Sequence, residues 1–124
     1  MSQDYGFRVR GLDVTFKNNV ASPLTSADVG KPVAITALAT AEITLCSNGD
    51  AIDGVVLGVD SSGVTVRVQG ICECAPLAGD SIIDAGAVYA VAGTGGTVKY
   101  TATHGNAKAL AYNAATGKVY IRIG

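Results

Sequence analysis

The sequence predicts an all-β fold, a small β-barrel or β-sandwich of short antiparallel strands with one short helical turn. Three observations predict it. Apolar residues alternate with small or polar ones through Gly54 to Val68, where Val55, Leu57 and Val59 interleave with Val56, Gly58 and Asp60. After Asp60-Ser-Ser-Gly63, Val64, Val66 and Val68 interleave with Thr65, Arg67 and Gln69, which reads as a β-hairpin with one apolar face. Finally, there are 16 glycines, no tryptophan and only 15% charged residues, a composition of tight turns and closely approaching backbones.

At 124 residues the chain is expected to hold one domain, which buries about two thirds of its unfolded surface. Residues 1–20 read as an extended N-terminal arm and residues 21–124 as a single β-rich domain. In the arm, Tyr5, Phe7 and Val9 alternate with Gly6, Arg8 and Arg10; past Gly11 the apolar phase moves to Leu12, Val14 and Phe16. A one-residue slip at a glycine signals a bulge or bend. Such an arm either forms an edge strand of its own domain or reaches a partner.

Asn18 to Pro23 reads as loop. Thr25 or Ser26 can cap a helical turn that has Asp28 in its first turn and Gly30 and Pro32 at its end. Val33, Ile35 and Ala37 mark one strand, and Ile43 and Leu45 the next. Ser47-Asn-Gly-Asp50 is tight-turn chemistry. Asp50 and Asp53 flank Ala51-Ile52, but the segment lacks the alternating oxygens and closing Glu of a calcium loop, so they too read as turn residues. Beyond the central hairpin, Pro76 to Asp80 is a turn, and Gly93-Thr-Gly-Gly96 joins Val88–Ala92 to Thr97–Tyr100 as a hairpin. Strand-like residues follow that glycine run, unlike a phosphate cradle, which opens a helix. At the C-terminus, Leu110 and Tyr112 lead through Asn113-Ala-Ala-Thr-Gly117 into Val119-Tyr-Ile-Arg-Ile123, an echo of the central hairpin.

The net charge of −1 excludes a generic nucleic-acid binder, which carries a basic footprint. Charge is unevenly spread: between Glu42 and Asp84 the single base Arg67 stands among acids, and from Ala85 onward there are Lys99, Lys108, Lys118 and Arg122 with no acid. Acidic and basic faces of neighbouring copies could meet in an oligomer. Arg67 is the first candidate for such a subunit contact. No run of 18 apolar residues predicts a transmembrane helix, and the N-terminus lacks the pattern of a secretory signal.

Cys46, Cys72 and Cys74 form an odd set with the spacing of no usual zinc knuckle, so no metal is expected. Cys72 and Cys74 continue the even phase of Val64, Val66 and Val68 if Gly70 does not shift it, which places them on the buried face. His104, the only histidine, sits in a polar loop without a nucleophile pattern. No catalytic or cofactor-binding residue is assigned.

Several segments together resemble the small capsid decoration, or cement, proteins of tailed bacteriophages. They are Ala27-Asp-Val-Gly-Lys-Pro-Val33, Gly49-Asp-Ala-Ile-Asp-Gly-Val-Val-Leu57, Val64-Thr-Val-Arg-Val-Gln-Gly70, Gly79-Asp80 and Lys118-Val-Tyr-Ile-Arg-Ile123. The resemblance covers residues 24–124. It implies a β-rich, non-enzymatic subunit without cofactors that binds the outer surface of an assembled shell and cements neighbouring major capsid protein subunits. It also implies a homotrimer, made in the host cytoplasm and located on the virion, with neither nucleic acid nor membrane as partner.

The arm matches no quoted motif. From its charged alternation alone, Arg8, Val9, Arg10, Leu12, Val14 and Phe16 are expected to contact the capsid. A ligand-binding β-barrel for a small molecule or sugar is the alternative from another class, although few aromatics argue against sugar stacking. Another β-rich virion component, such as a tail or fibre subunit, is a further alternative.

Overall fold

The computed structural model describes residues 3–4, 7–8, 11–18, 23–37, 42–83, 88–102 and 105–124. They form an almost wholly antiparallel β structure, a sheet curled into a half-barrel. The strands are β1 (Gln3–Asp4), β2 (Phe7–Arg8), β3 (Gly11–Phe16), β4 (Pro32–Ala37), β5 (Glu42–Leu45), β6 (Gly54–Asp60) and β7 (Gly63–Cys74). They continue with β8 (Val88–Ala92), β9 (Val98–Thr101), β10 (Ala107–Asn113) and β11 (Lys118–Ile123). The expected helical turn is a 3-10 turn at Ser26–Asp28, and a second 3-10 turn follows at Ser81–Ile83. Thr25 caps the first: its side chain accepts from the Ala27 amide, while Asp28 accepts from the Thr25 amide at 2.9 Å.

Among the described residues, β1 and β2 pair with each other, whereas the other nine strands form one sheet in the order β5-β4-β6-β7-β11-β10-β8-β9, with β3 added beside β7. β7 organises this arrangement. Its residues Val64 to Arg67 are flanked on one side by β6 and on the other by β3, while Gly70 to Cys74 pair with β11. Gly70 is bridged both to Gly11 and to Ile123, so β11 takes over from β6 along the same flank. Past Cys74 the chain runs on beside β9: Pro76 bridges Val98, and the Leu77 amide donates to the Val98 carbonyl at 2.8 Å. The ladder β7-β11-β10-β8-β9 thereby returns on itself.

Closure explains the larger core, in which Cys72, Cys74, Val119, Ile121, Ile123, Ala107, Ala109, Ala90, Ala92 and Val98 meet with Cys46, Ile52, Val55 and Ile82. A second core, Leu24, Val33, Ile43, Val56, Val64 and Val66, lies against Phe16, Ile35, Leu45, Val59 and Val68.

The central hairpin is present, with its turn at Ser61–Ser62, but it does not have one apolar face. Val55 belongs to the first core and its neighbour Val56 to the second. Cys72 and Cys74 are buried as expected, yet in the opposite core from Val64 and Val66, because the phase slips between them. Val68 is an extra residue in the pairing of β7 with β3, and Gly70 has φ +116°, a left-handed value that glycine tolerates. The slip lets one long strand serve two cores.

Candidate functional site

The second half of the arm is a strand of the domain's own sheet. β3 pairs with β7 from Gly11↔Gly70 to Phe16↔Val64. Leu12, Val14 and Phe16 share one face, opposite Gln69, Val66 and Val64, so the row continues the second core outward toward solvent. Phe16 packs against that core, but Leu12 is 54% and Val14 36% exposed, two of the four large hydrophobic side chains exposed among the described residues. From Gly11 to Thr15 every residue is exposed.

Asp13 and Thr15 occupy the other face. The Asp13 carboxylate takes two hydrogen bonds from Arg67, from Nε at 2.8 Å and Nη2 at 3.2 Å. Arg67 Nη1 donates to the Ile71 carbonyl at 2.9 Å. The Thr15 and Thr65 hydroxyls lie 3.3 Å apart. Arg67 thus ties β3 to the first half of β7 and both to the start of its second half, across the phase slip. Its side chain is only 12% exposed, against 37% for Asp13. This guanidinium holds the Asp13 carboxyl below its ordinary value, chiefly through the hydrogen bonds.

Arg67 is therefore engaged within the subunit rather than presented on an open polar row. Alternation alone could not show this, because the slip at Val68–Gly70 turns the Arg67 side of β7 toward the corner. Gly63, at the start of β7, is also fitted to β3: it has φ +139°, and a Cβ there would collide with the Phe16 carbonyl oxygen.

Of the other residues expected to contact a capsid, Arg8 lies in β2 opposite Gln3. Val9 and Arg10 fall outside the described residues, as does His104. Asp50 caps its turn, accepting from the Ser47 amide at 2.8 Å, whereas Asp53 is not a turn residue: its carboxylate reaches across to strand β4 and accepts from the Ile35 amide at 2.9 Å. Asp60 caps its own turn through the Ser62 amide and hydroxyl.

The acid-rich and base-rich halves of the sequence do not become separate regions of the fold. The Asp50 carbonyl accepts from Ala92 in β8, and the Asp80 carboxylate accepts from the Tyr100 amide in β9. Lys108 and Arg122 stand directly opposite one another on β10 and β11, with Lys108 Nζ 5.7 Å from the centre of the Tyr89 ring.

All three cysteines are free and buried. Burial pushes the Cys46 and Cys72 thiols up to about 12, and Cys74 higher still. Among the described residues, no group of three or more His, Cys, Asp or Glu side chains is placed to hold a metal. Open depressions of about 480 Å³ beside Lys99 and Tyr100, and of about 270 Å³ beside Arg67 and Lys118, indent the surface.

No family model matches the chain, and neither a curated protein nor a solved structure shows significant similarity to it.

Proposed function

We propose that this chain is a structural virion protein that binds the outer surface of an assembled phage capsid and cements neighbouring major capsid subunits, with β3 as its contact strand. The observation that carries the reading is the exposure of β3, which presents Leu12 and Val14 to solvent while Arg67 holds its other face in place. A rigid strand with protruding apolar side chains suits docking onto a preformed surface, because little ordering entropy is lost on binding. The segments that carry the resemblance to cement proteins also converge: they supply parts of β4, β6, β7 and β11, consecutive neighbours in the sheet. In the shell-bound state, three copies surround each local threefold position, as in that family. Binding would stabilise the shell by mass action.

The test is occupancy on purified undecorated shells of the wild type and of a Leu12→Lys, Val14→Lys double variant. Losing the burial of these two partly exposed side chains costs about 2 kcal/mol, roughly 30-fold in affinity. Unchanged occupancy by a folded double variant would sink the assignment of β3.

A further inference from the structure

We propose that in the free protein the outer edge of β3 is closed by β3 of a second copy, the two strands running antiparallel about a twofold axis through Val14. Among the described residues β3 pairs with β7 alone and none pairs with its other flank, and every residue from Gly11 to Thr15 is exposed. Natural sheets blunt such edges with proline, lysine, inward-pointing charge or a covering segment. The edge at β9 is covered by the chain around Pro76. Gly11–Phe16 contains neither proline nor lysine, and its one charge, Asp13, is already paired with Arg67, so two such edges can approach without net repulsion.

Register selects the centre. An axis between Asp13 and Val14 would set Leu12 opposite Thr15, mixing the apolar and polar faces. One through Asp13 would place two carboxylates directly opposite each other, which is destabilising. An axis through Thr15 would offer Lys17 to Asp13, but Lys17 lies beyond the end of β3, so few rungs would form and Leu12 would stay uncovered. Through Val14, Leu12 faces Phe16, Asp13 faces Thr15, and Val14 faces itself. The apolar row of one copy then continues into that of the other. Six residues bury less than the roughly 1,200 Å² of stable complexes, so this dimer is weak, and it releases the strand that the shell contacts.

The experiment is disulfide trapping of single-cysteine variants in the otherwise native chain, whose own three thiols are buried. Directly opposed residues in an antiparallel pair have Cα atoms about 4.5–5.5 Å apart, within disulfide reach. Under mild oxidation Val14→Cys is expected to form covalent dimers at least tenfold faster than Leu12→Cys or Thr15→Cys. Sedimentation equilibrium should show the wild-type mass rising with concentration from 12.4 kDa toward twice that value, and a Val14→Lys variant with native circular dichroism staying at 12.4 kDa. Equal trapping at the three positions, a concentration-independent monomer, or a trimer in solution would overturn the proposal. If Val14→Cys does not trap while Val14→Lys still loses shell occupancy, the edge serves the shell alone; the dimer then falls and the proposed function stands. Efficient trapping without any shell binding gives the reverse.

Discussion

Replacing Arg67 tests whether the exposed strand is held by the clamp seen here. In an Arg67→Met variant, the Asp13 carboxylate loses two hydrogen bonds and the Ile71 carbonyl loses one. Asp13 is 37% exposed, so water can replace much of what it loses; the pair itself is worth about 0.5–1 kcal/mol after screening. The bond to Ile71 adds about 1–2 kcal/mol, because its donor is charged and largely withdrawn from water. The expected destabilisation is therefore about 2 kcal/mol. Asp13→Asn should cost about 1 kcal/mol, and the two changes together less than their sum. Urea unfolding of the wild type, both single variants and the double variant gives the coupling, expected near 0.5–1 kcal/mol. Hydrogen exchange should show β3 opening more readily in Arg67→Met while β10 and β11 keep their protection. A destabilisation under about 0.5 kcal/mol with zero coupling would refute the clamp.

The remaining predictions concern other parts of the fold. Cys72 and Cys74 should resist iodoacetamide at pH 8 in the native protein and react on unfolding, since at a value of about 12 only about one Cys72 thiol in 10,000 is ionised; rapid native labelling would contradict their burial. Asp13 and Asp28 are held below their ordinary value of 3.8, by Arg67 and mainly by the Thr25 amide respectively. The unfolded chain therefore takes up protons first as pH falls, so the stability these groups contribute is present above about pH 4 and lost progressively below it, measurable as a falling urea midpoint between pH 5 and 2. Gly63→Ala should destabilise by more than about 1 kcal/mol, through its positive φ and the collision with Phe16; thermal melts report it. Ile121→Ala, fully buried in the larger core, should cost about 2–5 kcal/mol in the same assay.

Much of the fold was legible because local chemistry and tertiary structure agree. Alternation located β6, β7, β10 and β11, and the Gly-rich turn fell where β8 reverses into β9. The Asn48-Gly49 turn instead lies on the crossover from β5 to β6, which both pair antiparallel with β4 and so run the same way. The capping signal at Thr25–Asp28 became a 3-10 turn in which the Asp28 carboxylate accepts from the Thr25 amide and the Thr25 hydroxyl from the Ala27 amide. What could not be read was anything that depends on a strand changing partners. β7 looks like one continuous alternation, yet Val68 and Gly70 switch its phase, so Cys72 and Val66 face different cores and Arg67 turns into a corner. The arm was legible as β-like, but whether it joined its own sheet depended on pairing with β7 and on contacts such as Asp13 with Arg67, 54 positions away, which no local pattern encodes. Similarly, the acid and base blocks were plain in sequence, whereas the fold uses Asp50 and Asp80 to cap turns against the basic half.

The central claim is that this domain docks on the outside of a phage shell through β3. Cryo-electron microscopy of purified undecorated phage shells, imaged with and without the purified protein, tests it most directly. The account predicts saturable density on the outer surface, with Leu12 and Val14 at the contact and no density for the Leu12→Lys, Val14→Lys variant. Bare shells at saturating protein, or bound protein that turns β3 away from the shell, would contradict it.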